Sequence, residues 1–204
     1  MWPFTRRKIK IEKVLDVMVE IPSLGFLGLF VESPNREYML ALSDSDQSCG
    51  VGGNRKTGHG SYILVRHGYL LCSGKVKRPN DGLVADNGTF VFADWLFGNS
   101  LKSILYAFAS DGSELIKHTF FANILNTGLS DSGRFAVAQL VNSNHKDSGC
   151  LAFFDLTERK LIWKKTPVPG WADSYRFNDE SERLGLVYQD KGVFDYSYNG
   201  EFID

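Results

Sequence analysis

Period-two alternation runs through this chain, and helical spacing is scarce. Between residues 8 and 21, Ile9, Ile11, Leu15, Val17, Val19 and Ile21 alternate with Lys8, Lys10, Glu12, Asp16 and Glu20. That is the pattern of a strand with one apolar face. Further short runs follow at 38–42, 62–65, 90–95, 104–109, 115–121, 135–141, 151–154, 161–165, 184–188 and 193–198. Turn chemistry punctuates them: Asn87-Gly88, Asp111-Gly112, Ser132-Gly133 and Asn199-Gly200. Asn-Gly and Asp-Gly tolerate positive φ and so close tight hairpins. Many short strands joined by hairpins predict an all-β antiparallel fold.

The turns recur. An apolar residue, an acidic turn and a strong strand appear together at Leu83–Phe92, again at Leu129–Val137, more loosely at Phe177–Leu186 and most weakly at Phe30–Tyr38. A strand, a short turn and a second strand alternate with these at 62–71, 104–117, 151–163 and 193–203. Placed end to end, the two patterns make four-stranded units every ~45 residues, the spacing of a propeller blade. Leu129-Ser130-Asp131-Ser132-Gly133-Arg134-Phe135-Ala136-Val137 and Phe154-Asp155-Leu156-Thr157-Glu158-Arg159-Lys160-Leu161-Ile162-Trp163 carry the likeness. On these residues the chain resembles the β-propeller superfold, in the loose group of WD-repeat-like and quinoprotein-like propellers. The resemblance is one of repeat grammar and implies no cofactor.

It implies one domain over 1–204: an N-terminal strand at 1–23 and blades at 24–78, 79–124, 125–169 and 170–204. Residues 8–21 are expected to lend an outer strand to the last blade, whose final strand is short, and so to close the ring. An open arc, a ring shared by two chains and a β-sandwich are the alternatives. Stacked blades bury faces that one sheet cannot cover alone. Phe90, Phe92, Phe135, Val137, Leu184 and Leu186 belong to second strands, where both faces are covered.

Composition narrows the classes. The 204 residues are 43% hydrophobic, with 20 Gly, 6 Pro and 3 Cys, which excludes collagen, a coiled coil and a small disulfide scaffold. The balance of 23 Lys+Arg against 24 Asp+Glu gives a net charge of -1, so nothing global draws the chain to nucleic acid or to an anionic membrane. Cys49, Cys72 and Cys150 form no C-x-x-C pair, which suits a reduced, cytoplasmic setting. The basic start lacks an apolar run behind it, so no signal peptide or membrane span is expected.

In a propeller the longer loops gather on one face. Here these are 45–60, 97–102, 142–149 and 190–192, with the linkers 77–82, 122–128 and 166–174. The longest, Ser45–Gly60, is Gly-rich. Its Lys56-Thr57 has Arg55 where a phosphate-binding loop needs Gly, and no helix follows. Arg66-His67-Gly68 resembles the start of a histidine phosphatase site, but reads more simply as a hairpin turn. Cys49, His59, His145, Asp147 and Cys150 share the loop face without the closely spaced ligand pairs of a zinc site. The repeated acids Glu32, Asp86, Asp131 and Asp179 read as turn stabilisers.

Trp95, Phe97 and Trp171 end strands or linkers on the loop face, as the aromatic anchors of a protein interface do. The expectation is a non-catalytic protein-binding module, an inhibitor or immunity protein that blocks a toxin. It would use Trp95, Phe97 and Trp171 with Arg55, Lys56, His59, Asp46 and Asp147. Asp44, Asp46, Asp81, Asp86 and Asp147 would imitate phosphates toward a basic partner. No cofactor, metal, nucleic acid or membrane enters this reading, and the chain acts as a monomer or homodimer. The alternatives are a hydrolase or lyase with its site around His59 and His145, and a homo-oligomeric scaffold.

Overall fold

The computed structural model describes residues 7–48, 50, 52–53, 55–97 and 101–203. It consists of four antiparallel sheets in chain order. The first holds β1 (Glu12–Leu15), β2 (Met18–Ile21), β3 (Phe26–Glu32), β4 (Tyr38–Ser43), β5 (Gly60–Arg66) and β6 (Tyr69–Val76), neighbours in that order. The second holds β7 (Pro79–Val84), β8 (Phe90–Asp94), β9 (Ser103–Phe108) and β10 (Glu114–Phe120). The third holds β11 (Ile124–Leu129), β12 (Phe135–Leu140), β13 (Leu151–Asp155) and β14 (Lys160–Lys165). The fourth holds β15 (Ser174–Asn178), β16 (Arg183–Tyr188), β17 (Gly192–Ser197) and the two-residue β18 (Phe202–Ile203). The architecture is the all-β, propeller-like arrangement that the repeat implies.

Burial follows from sheet stacking. Strands β4, β8, β12 and β13 are buried along their whole length, whereas the outer strand β10 alternates. Rings fill the space between the first two sheets, with Phe90 and Phe108 stacked at 5.2 Å. Aliphatic and small side chains such as Val91, Leu105, Ala138 and Leu140 dominate between the second and third. Phe153 and Trp163, stacked at 5.4 Å, head the next core.

The acidic turns do more than stabilise themselves. The Asn35 N–H donates to Asp86 Oδ1 at 2.8 Å, and the Asp86 N–H donates to the Asp131 carbonyl at 3.1 Å. Asn87 Nδ2 donates to the Ser132 carbonyl at 2.7 Å, and Ser132 Oγ donates to Asp179 Oδ2 at 2.8 Å. Each link joins equivalent turns one repeat apart, so the repeat bonds to its own copy.

The N-terminal expectation is corrected on two counts. Residues 8–21 are not one strand: Asp16 and Val17 form a turn, and β1 and β2 close a hairpin. The turn reverses the chain, so Leu15 and Val17 are 60% and 57% exposed rather than sharing a buried face with Val19 and Ile21. The hairpin joins β3 of the first sheet, not the last blade. Among the described residues, no apolar core, hydrogen bond or ion pair links the fourth sheet to the first, so the ring stays open.

An open array must cover its two end faces. The far face of the first sheet is apolar: Met39, Ala41, Ile63 and Val65. Ile9, Val19, Ile21 and Phe26 pack onto it, and the Ile9 N–H donates to the Gly68 carbonyl at 2.9 Å. The far face of the fourth sheet is mostly polar instead, with Arg176, Asn178, Arg183 and Asp195 around Gly185 and the exposed Val193 among them. The N-terminal segment is therefore a cap, not a clasp.

Candidate functional site: a groove beside the first sheet

The first sheet has two strands more than the second, both on the β3 side. Cross-strand pairs Leu15↔Met18, Met18↔Leu29 and Leu29↔Leu42 place these side chains on one face. Leu27 and Val31 share it by alternation. Strand β7 covers only part of this face. A Cβ at Gly82 would lie 2.5 Å from Leu42 Cδ1 and 2.9 Å from Leu40 Cδ2, so β7 approaches closely because that residue has no side chain. Beyond β7 the second sheet has no strand to offer. Leu27 and Leu29 are left 44% and 57% exposed.

The result is a groove of about 570 Å³. Val17, Met18, Leu27, Leu29 and Val31 form one side, Pro79–Gly82 the other, and Ser43–Ser45 one end. That volume falls in the range of ordinary ligand and peptide sites. Gln47 fixes the end. Its Oε1 accepts from the Leu27 N–H at 3.2 Å, and its Nε2 donates to the Leu27 carbonyl at 3.3 Å.

Asp81 stands on the β7 side. It takes a positive φ of 46° in an irregularity where the β7–β8 register shifts. Thr127 Oγ1 of the next sheet donates to the Asp81 carbonyl at 3.1 Å. The residue is exposed and lines the groove, but the surrounding protein desolvates its carboxyl and raises its pKa, against hydrogen bonds from Thr127.

The residues anticipated as a loop-face site divide by environment. Trp95 is half-buried, packs on the core between the second and third sheets, and donates its ring N–H to the Ile124 carbonyl at 3.1 Å. Phe97 is half-buried beneath Arg55 and Lys77, 5.2 and 5.5 Å from its ring. The Arg55 side chain is itself buried and pairs with Asp44 at 2.8 Å, and Arg78 meets the same carboxylate at 3.1 Å. Asp46 accepts from the Ser48 and His59 backbone N–H groups, which hold the long loop together; the Ser48 hydroxyl and N–H contribute most to lowering its pKa. His59 and Lys56 are exposed.

Asp147 is 2% exposed, accepts from the Phe121 N–H at 2.7 Å and is ion-paired with Lys164. Trp171 alone among the anticipated aromatics is open, at 43%. Val168 beside it is 76% exposed, and its N–H donates to the Tyr196 hydroxyl at 2.9 Å.

Three of the five loop acids are unavailable as phosphate mimics on the loop face. Asp44 and Asp147 are neutralised by Arg55, Arg78 and Lys164, and Asp86 lies in the turns of the opposite face. Among the described residues no three His, Cys, Asp or Glu side chains converge on a point that suits a metal; Cys49 lies outside them. His145 leans on Phe121, with ring centroids 5.5 Å apart. Arg66-His67-Gly68 is a hairpin turn, with φ of 49° at His67 and Arg66 paired to Glu37 at 2.6 Å. No described helix is long and apolar enough to cross a membrane.

Leu27 and Leu29 fall outside the strands that alternation picks out, and nothing adjacent to them marks them as groove residues. Their exposure depends on a missing neighbour in another sheet. One local signal existed: Asn80-Asp81-Gly82-Leu83 recurs as Asn126-Thr127-Gly128-Leu129. It marks equivalent first strands, and the acid replaces a neutral residue in only one copy.

No family model matches the chain, and no curated protein matches it significantly. Solved structures do. The computationally designed Ika8 protein superimposes with a TM-score of 0.54 at 10% identity, over 93% of this chain and 58% of that one. The likeness is one of fold. This chain spans a little over half the length of that protein.

Proposed function

We propose that this protein is a non-catalytic protein-binding module, with the groove beside the first sheet as its contact surface. One observation carries the reading: the first sheet extends past its neighbour and leaves Leu27, Leu29 and Val17 uncovered beside a 570 Å³ recess. Uncovered apolar faces of this kind mark interaction sites in soluble domains. An inhibitor or immunity protein that occludes a toxin is one form of this function.

Trp171 supports a second surface. It projects with Val168 from the linker that follows β14, which is braced by the Tyr188 hydroxyl donating to the Gly170 carbonyl at 2.7 Å. A rigid aromatic on a braced linker is an interface anchor.

Capture from the native cell separates the two. The wild-type chain, a Leu27→Asp/Leu29→Asp double variant and Trp171→Ala serve as baits, and recovered proteins are compared. A partner held by wild type and Trp171→Ala, and lost by the double variant, supports the groove. Retention by the double variant with loss in Trp171→Ala moves the contact to the loop face.

A further inference from the structure

We infer that the groove takes a protein segment whose apolar side chains are flanked by lysine or arginine. This rests on the protein-binding reading above and adds the chemistry of the partner.

The floor is apolar, but its borders are acidic. Glu12 and Glu20 are direct cross-strand partners on the overhanging hairpin. Alternation puts Glu20 on the face of Met18, while Val19 and Ile21 are buried on the other. Like charges directly opposite in a sheet repel. Asp81 lines the β7 side, with its carboxyl hydrogen-bonded by Thr127 but without an ion pair among the described residues.

Of these three acids, only Glu12 is paired with a cation of the chain among the described residues. Lys10 pairs with Glu12 at 2.7 Å, at the solvent end. Arg55 and Arg78 are committed to Asp44. Among the described residues no ion pair reaches Glu20 or Asp81.

A partner that covers the floor must desolvate these carboxylates. Covering a charge without an opposite one is costly. An acidic segment adds repulsion, and a neutral one leaves both acids unpaired. A segment bearing cations beside its apolar side chains pairs them as it covers Leu27 and Leu29. The same charges disfavour a phosphate-bearing surface, which sets a protein partner above an anionic membrane.

The test uses three labelled peptides of alternating Leu with Lys, Ser or Glu, titrated by fluorescence anisotropy against the full chain at low and high salt. The Lys-Leu peptide is expected to bind at least ten-fold tighter than Ser-Leu, to weaken with salt, and to outcompete Glu-Leu entirely. Glu20→Gln/Asp81→Asn should erase that preference; Asn suits the positive φ at position 81, and Glu20→Gln alone, at an exposed site, should reduce it. Equal binding of Lys-Leu and Ser-Leu, or a preference unchanged in the double variant, overturns the charge inference. If Ser-Leu binding is lost in Leu27→Asp/Leu29→Asp, the groove reading survives that result. Peptide binding indifferent to Leu27→Asp/Leu29→Asp, or no binding at all, overturns both.

Discussion

The Tyr175 hydroxyl donates to Asn126 Oδ1 at 2.7 Å, and Asn126 Nδ2 donates in turn to the Ala172 carbonyl at 2.9 Å. One amide thus ties the first strand of the third sheet to that of the fourth and to the linker before it. Burial pushes the Tyr175 phenol far up, so it stays a neutral donor across the accessible range. In an open arc, no ring closure holds the fourth sheet from its far side. Asn126→Ala should cost about 2 kcal/mol, because it leaves a buried donor and acceptor unpaired. Urea unfolding measures this, and hydrogen exchange should rise first in β15–β17.

Close approach of backbones makes Gly28 sensitive. A Cβ there would sit 2.3 Å from the Leu42 carbonyl oxygen, a rigid backbone atom. Gly28→Ala should destabilise by about 3 kcal/mol, at the upper end for overpacking. A midpoint within error of wild type would show that β3 shifts freely.

The N-terminal cap can be tested at Ile9. It is 6% exposed and packs against the far face of the first sheet. Ile9→Ala should lose about 2–4 kcal/mol as a buried aliphatic truncation. Binding of an apolar dye should increase, since the cap covers Met39 and Val65.

Groove substitutions should separate stability from recognition. Leu29 is 57% exposed, so Leu29→Asp should change unfolding free energy by no more than about 0.5 kcal/mol. Dye binding to the native protein should fall. A large loss of stability would mean that Leu29 belongs to the core.

His118 on β10 and Asp147 in the loop between β12 and β13 set a pH dependence. Burial, with Lys164 adding to it, lowers the pKa of His118, which packs against Phe120 at 4.6 Å. The unfolded chain then takes up a proton before the folded one does. Stability is full above the ordinary histidine pKa of about 6.5 and declines as pH falls through the lowered folded value. Asp147 behaves as an acid of the same sign. Burial raises its pKa, but Lys164 and the Phe121 N–H outweigh that and leave it lowered. Its contribution persists down to the carboxylate range and is lost as pH falls through its folded pKa. Melting temperatures against pH should show both limbs. His118→Gln should flatten the upper limb, and Asp147→Asn the lower.

Much of the fold was legible because its signals are local. Alternation gave the strands, Asn87-Gly88 and Asp111-Gly112 gave the hairpins, and the repeated acidic turns gave the unit of repetition. Those turns also bond across units, so one pattern encodes both a turn and a contact. The N-terminal run shows the limit of periodicity. Ile9 through Ile21 keep the alternation except at Lys13, Val14 and Met18, and the pattern does not announce the turn at Asp16 and Val17.

What this sequence determined by itself is a set of strands, their turns and a repeat, because each rests on the chemistry of a few adjacent residues. The tertiary structure alone decided that the array stays open, that residues 7–21 cap its first sheet, and that Leu27 and Leu29 face a groove while Trp95 packs half-buried onto the core between the second and third sheets. Those outcomes depend on which surface meets which across tens of residues. Whether a face is covered is a property of its neighbour, and alternation along one strand cannot record that neighbour's absence.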